Sequence, residues 1–183
     1  SDLYIHIPKA AGTSINYSLF GRTLGHYPAV DIQKKFPKLY KSCWTFSVTR
    51  NPWSRVYSAY QFAKNGGTEV MGMSNKSLYQ VPEFESFERF VFEWLAPRNV
   101  EDLDFIFQPQ HKFICDDNGV ILVDHLGKVE KIEKTKSKVE NKLGRRIKLA
   151  KENATSSGGA YKEFYKNKEM VEVVRGKYFK DAE

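Results

Sequence analysis

Apolar residues fall into short unbroken runs and wider helical stripes along this chain. Leu3-Tyr4-Ile5-His6-Ile7 is a compact apolar run stopped by Pro8, the pattern of a buried strand. A small-residue turn, Ala10-Ala11-Gly12, follows, and Thr13 to Phe20 then carries Ile15, Leu19 and Phe20 at helical spacing. Asp31 to Phe36 predicts a short helix ended by Pro37, and Cys43 to Thr49 (CWTFSVT) predicts a second buried strand. Asn51-Pro52 then supplies a helix-capping residue and a proline at the first helical position. Trp53, Val56, Tyr57, Tyr60 and Ala63 mark one face of that helix, which is expected to end near Asn65-Gly66-Gly67.

Thr68 to Pro82 is polar and aperiodic, a long loop of the kind that carries binding or lid functions. Ser86 to Leu95 holds Phe87, Phe90, Val91, Trp94 and Leu95, an amphipathic helix capped by Ser86. Lys112 to Cys115 and Val120 to Asp124 flank Asp116-Asp117-Asn118-Gly119 and predict a hairpin. Lys131 to Leu143 and Tyr161 to Tyr178 predict two further helices, separated by the Ser/Gly-rich break Thr155 to Gly159. There is no internal repeat and no low-complexity tract. Strand, helix, strand, helix at the start argues an α/β fold, a P-loop-like parallel sheet flanked by helices. The 183 residues are expected to form a single compact domain, 1–183.

Composition narrows the function classes. A 41% hydrophobic content suffices for a real core and excludes a wholly disordered chain. No run approaches the roughly 18 apolar residues of a membrane helix. Ser1 to Ile7 lacks the basic and apolar regions of a secretory leader, although the chain opens so directly on a strand that a trimmed upstream anchor stays open. Cys43 and Cys115 make neither a disulfide framework nor a metal-ligand spacing, which favours a reducing compartment. With 29 Lys+Arg against 22 Asp+Glu, the net charge of +7 attracts nucleic acid, anionic lipid, anionic polysaccharide or a polyphosphate ligand. The lysine-rich stretch Lys128 to Lys151 reads first as a solvated helix face.

Two strand ends carry the candidate chemistry. IHIPKAAGTSI places Lys9, Gly12, Thr13 and Ser14 between a buried strand and a helix start, where free backbone N–H groups and the helix dipole favour phosphate or sulfate. Gly12 permits a tight turn, Thr13 and Ser14 add hydroxyls, and Lys9 adds a full charge. The lysine precedes the glycine, so this is not a Walker A string, and no Walker B aspartate is evident. Read alone, the segment is equally an ordinary βα turn. At the second strand end Arg50 sits on the carboxyl edge where α/β sheets bind ligands. Arg55 and Ser58 share a face of the next helix, and Arg55 taken singly is a salt-bridge residue.

IHIPKAAGTSI followed some forty residues later by FSVTRNPWSRVYSAY resembles the PAPS-dependent sulfotransferases. More narrowly, it looks like their carbohydrate branch of heparan sulfate 2-O- and chondroitin-type enzymes and bacterial relatives. The resemblance implies that Lys9, Ala11, Gly12, Thr13 and Ser14 hold the 5′-phosphosulfate of PAPS (3′-phosphoadenosine 5′-phosphosulfate), and that Arg50 and Ser58 hold its 3′-phosphate. The desulfated product would be PAP. Gln110 to Glu130 resembles the region preceding these enzymes' last helices, and NATSSGGAYKEFY resembles their late loop that closes over the cofactor, with Asn153 to Ser157 as contact candidates. Ala11 stands where the family usually has the first glycine of a pair, and Thr49 stands where an apolar residue is common.

No metal is implied. Sulfuryl transfer is an in-line displacement governed by positioning and charge stabilisation, with Lys9 as the cation at the leaving phosphate. The acceptor hydroxyl needs a base that titrates near neutrality, hence a histidine. His6 lies inside the first strand pattern and reads as a core residue; His125 reads as structural. His26 follows Gly25 ahead of a short helix, as does the base of the heparan sulfate 2-O- enzymes, and is the candidate general base, with His111 as the alternative. The first histidine of that family's His-Gly-His is Leu24 here.

The resemblance implies a carbohydrate or polysaccharide acceptor, lined by the Thr68 to Pro82 loop and the Phe84 to Trp94 helix, and no nucleic-acid partner. It is consistent with a cytoplasmic bacterial or viral-type enzyme or with a Golgi luminal domain. A P-loop nucleotide kinase, a non-catalytic basic domain binding polyanions, and a sulfotransferase fold without activity remain the competing readings.

Overall fold

The structure, a computed structural model, describes residues 2–68, 72–73, 75–149 and 159–182. In chain order the elements are β1 (Asp2–Ile5), α1 (Gly12–Phe20), α2 (Ala29–Lys35), α3 (Pro37–Ser42), β2 (Trp44–Thr49), α4 (Pro52–Lys64), α5 (Phe87–Arg89), α6 (His111–Ile114), β3 (His125–Lys128), α7 (Ile132–Leu143), α8 (Lys168–Lys177) and α9 (Phe179–Ala182), with short 3₁₀ turns between them. They fall into two compact units, Ser1–Asn51 with Pro109–Ala154, and Pro52–Gln108 with Thr155–Glu183.

The first unit is built on a three-stranded parallel sheet of order β1-β2-β3. The central strand has Thr45, Phe46, Ser47 and Val48 all buried, because helices cover both faces of a parallel sheet and leave no polar alternation. Ile5, Ile7, Ile15, Leu19, Phe46 and Val139 belong to one core. Both strands expected from the apolar runs are present, and each feeds a helix through its own loop, as expected for an α/β fold.

The expected hairpin over 112–124 is not formed. His111–Ile114 is the short helix α6, and only an isolated antiparallel bridge, Cys115↔Ile121, joins the two segments. The Asp-Asp-Asn-Gly turn itself closes as its chemistry requires. Gly119 takes φ 80° and donates to the Asp116 carbonyl, and the Asp116 carboxylate accepts from the amides of Asn118 and Val120. Helical winding buries the adjacent Phe113 and Ile114 together, and that tertiary burial overrides strand propensity. The third strand is instead β3, pairing with β2 from Phe46↔His125 to Thr49↔Lys128.

Two further boundaries differ. Pro37 ends α2 and also opens α3, where its fixed φ and missing N–H suit the first turn. The stretch expected as one helix over Tyr161 to Tyr178 divides into a 3₁₀ turn, Ala160–Phe164, and α8. Asn167 starts α8 as a new cap, its Oδ1 accepting from the Met170 amide at 3.0 Å.

The second unit has a separate, aromatic core. Val56, Ala59, Tyr60 and Ala63 of α4 face a cluster that includes Phe84, Phe87, Phe90, Trp94 and Phe107. Ser86 caps α5 as expected, accepting from the Arg89 amide, but the helix then widens to π-helical winding over Phe90–Leu95. Within the expected Thr68 to Pro82 loop, Lys76–Tyr79 forms a 3₁₀ turn with Tyr79 buried, while 69–71 and 74 lie outside the described residues. Among the described residues no helix is long and apolar enough to cross a membrane.

Candidate active site

The turn that leaves β1 is strained in two places that are not glycine. Lys9 has φ 64° and Ala11 φ 60°, both left-handed. Ala11 is the cap residue of α1 and offers no side-chain hydrogen bond to the first turn, which carries no acidic residue. The cap residue thus supplies no side-chain acceptor to the start of α1, and the positive end of the helix dipole is suited to an anion. Gly12 is required by close approach: a Cβ there would land on the imidazole of His6. Thr13 is half-buried and Ser14 buried. Because a left-handed alanine is strained where glycine is not, Ala11→Gly is expected to raise stability by about 1 kcal/mol, measured by urea unfolding.

Beneath this loop lies a pair of histidines. His6, just past β1, is 3% exposed, and its ring centroid is 4.0 Å from that of His26. Asn16 Nδ2 lies 2.8 Å from His6 Nδ1 and donates to it in the tautomer that keeps the His6 proton on Nε2; the Leu24 carbonyl is 3.3 Å from the same nitrogen. Burial above all, then the charge of His26, pushes the His6 imidazolium down to about 3; Lys9 adds to this and the Leu24 carbonyl opposes it. His6 is thus neutral, and is the core residue its sequence position suggested. The half-buried His26 donates from Nδ1 to the His6 carbonyl at 3.0 Å. That bond fixes the proton on Nδ1 and leaves the Nε2 lone pair as the basic site.

The depressed His6 value has a measurable consequence. Between its folded value near 3 and its ordinary 6.5, the unfolded chain binds the proton more tightly. Stability from this group is complete above pH 6.5 and is lost as pH falls. At pH 5 the expected loss is about 2 kcal/mol relative to pH 7, and His6→Phe should remove that difference when both proteins are unfolded in urea at the two pH values.

At the end of β2, Arg50 is 7% exposed and its Nη1 donates to the Lys9 carbonyl at 3.2 Å. The two strand ends singled out in the sequence are therefore joined directly. The Arg50 amide donates to Gln110 Oε1 at 2.9 Å, and Gln110 Nε2 donates to the Arg50 carbonyl at 2.8 Å. The next amide, that of Asn51, donates to Glu130 Oε1 at 2.7 Å. A carboxylate of the protein thus already holds that amide. Neither Gln110 nor Glu130 was identified from sequence: each is a side chain bonded to main chain some 60 to 79 residues away, and no local spacing encodes that. Thr49, the departure from the apolar norm, uses its hydroxyl to bond the Gly127 carbonyl at 3.1 Å.

The remaining candidates lie on several elements of the two units. Ser58 is half-buried on α4 in the second unit. Arg55, on the same helix, is 1% exposed within that unit, and burial lowers its pKa against the opposing influence of Asp181 and Tyr178. His111 opens α6, and His125 lies in β3 with its ring stacked on Trp44. Asn153 to Ser157 fall outside the described residues. Among the described residues no group of His, Cys, Asp and Glu could hold a metal ion.

A parallel sheet whose first strand runs into a helix start without a side-chain cap, with a lysine in the turn and the arginine of the adjoining strand bonded to that turn, defines an α/β protein of P-loop-like layout. The chain belongs to the sulfotransferase family, whose profile matches residues 3–182, and it is accordingly a transferase acting on sulfuryl groups. Comparison with curated proteins and with solved structures found no match in either set.

Proposed function

We propose that the chain transfers a sulfuryl group from PAPS to a hydroxyl of a carbohydrate acceptor by in-line displacement. The observation that carries this reading is the hydrogen bond from Arg50 to the Lys9 carbonyl, which sets a guanidinium beside the uncapped start of α1. A nucleotide with phosphates at both the 5′ and 3′ positions needs two such cationic points. The residues fit the group by their chemistry: the main-chain amides at the start of α1, the Lys9 ammonium and the Arg50 guanidinium are all donors suited to phosphate and sulfate oxygens.

PAPS when bound supplies an activated sulfuryl group on a phosphate that leaves readily. The amides of Gly12, Thr13 and Ser14 and the Lys9 ammonium are assigned to the 5′ side, where they stabilise charge that grows on the leaving oxygen. Ala11 contributes its backbone to the same turn. Arg50 is assigned to the 3′-phosphate; the share of Ser58 in that contact rests on the family resemblance alone. His26, its Nδ1 proton committed to the His6 carbonyl, accepts the acceptor hydroxyl's proton at Nε2. The net charge of +7 favours an acceptor that is itself anionic, such as an acidic polysaccharide.

A thermal-shift panel of PAP, PAPS, ADP and Mg²⁺-ATP tests the reading. A ligand present at 100 times its Kd stabilises the native state by about 2.7 kcal/mol, so PAP and PAPS should each raise the melting temperature by several degrees. A larger rise with Mg²⁺-ATP than with PAP, or no rise with any nucleotide, would overturn the assignment of PAPS as the donor.

A further inference from the structure

We propose that Gln110 is a positioning residue: by pairing with both main-chain groups of Arg50, its side-chain amide fixes where β2 ends and aims the guanidinium at the β1–α1 loop. The inference rests on the assignment of Arg50 to the 3′-phosphate and adds to it the residue that makes that contact geometrically possible.

The pairing of β2 with β1 runs to Ile5↔Ser47, and its pairing with β3 runs to Thr49↔Lys128. Arg50 lies one residue past the last of these rungs, in a buried environment where an unmade backbone hydrogen bond is costly. Gln110 pairs with both main-chain groups at once, accepting at 2.9 Å and donating at 2.8 Å, as a neighbouring strand residue in a hydrogen-bonded pair would. Its own placement is firm. It follows Pro109, stands at the N-cap of α6, gives its carbonyl to the Phe113 amide at 3.0 Å, and is 2% exposed.

A buried primary amide is costly unless its donor and acceptor are both used, and the Arg50 main chain uses both here. The arginine side chain has several rotatable bonds and gains direction only if its own Cα is held. With the main chain of residue 50 clamped, Nη1 reaches the Lys9 carbonyl at 3.2 Å. A residue that merely filled space would need no amide here; an apolar side chain would serve the core at lower cost.

The test measures affinities for PAP and for adenosine 5′-phosphate, which lacks the 3′-phosphate, by titration calorimetry. Gln110→Met is expected to weaken PAP by about tenfold or more, the worth of one to two hydrogen bonds to a charged group, and to leave adenosine 5′-phosphate within about twofold. In an Arg50→Ala background, Gln110→Met should cost PAP no further affinity, because the group through which it acts is gone. Equal losses for both ligands, no loss for either, or an undiminished loss in the Arg50→Ala background would overturn the proposal. Should Gln110→Met fail to fold, Gln110→Glu keeps the acceptor for the Arg50 amide but sets an oxygen against the Arg50 carbonyl, and unaltered PAP selectivity in that variant would likewise overturn it. A native protein that binds the two nucleotides equally would overturn the 3′-phosphate assignment itself, and this proposal with it. Discrimination retained in the native protein and kept by the Gln110 variants refutes this proposal alone.

Discussion

Replacing His26 with alanine is expected to cut turnover by about 10²–10⁴-fold, the usual worth of a general base, while PAP affinity stays nearly unchanged. The imidazole donates to the His6 carbonyl and packs on the His6 ring. Removing it takes away the proton acceptor and leaves the anion loop standing on His6 and Gly12. The signature is a fall in kcat with little change in the dissociation constant of PAP, measured on protein whose melting temperature matches the native enzyme. Turnover that survives the substitution would transfer the role to His111, the other half-buried candidate on the sheet unit.

Arg50→Ala is expected to weaken PAP binding by about 10²-fold, since a buried charge-assisted hydrogen bond to phosphate is worth roughly 2–3 kcal/mol. Adenosine 5′-phosphate, with no 3′ group to lose, should bind the variant as it binds the native protein. Arg50→Lys should restore only part of the PAP affinity. The planar guanidinium can donate to the Lys9 carbonyl and to a phosphate oxygen in fixed directions, whereas an ammonium is a point charge on a flexible stem. Calorimetric affinities for both nucleotides across the three proteins check this, and a PAP affinity indifferent to residue 50 would remove the 3′ clamp from the account.

What was legible beforehand follows from range. β1, β2, α1 and α4 were each signalled by residues within a few positions of one another: an apolar run, a proline stop, a small-residue turn, a cap. The two candidate corners were legible for the same reason, because the loop chemistry of Lys9 to Ser14 and the strand-end Arg50 are contiguous. β3 was not legible. His125-Leu126-Gly127-Lys128 has no apolar run, and it is a strand only because β2 offers a parallel partner. The neighbouring hairpin failed for the complementary reason, since burial of Phe113 and Ile114 favoured a helical turn over the local strand preference. Ser86 was read correctly as a cap, yet nothing local announced the π-helical winding that follows it. Within the site, the pairing of His6 with His26 and the clamps of Gln110 and Glu130 arise from contacts between distant segments. One of those contacts explains the loop's most constrained position: Gly12 is small because the His6 ring is there.

The central claim is that one diphosphorylated adenosine bridges the β1–α1 loop and the end of β2. A crystal structure of the chain with PAP measures this directly. The account predicts the 5′-phosphate within hydrogen-bond distance of the Gly12, Thr13 and Ser14 amides and of Lys9 Nζ, with the 3′-phosphate against the Arg50 guanidinium. PAP bound elsewhere on the chain, or bound with its 3′-phosphate turned away from Arg50, would contradict it.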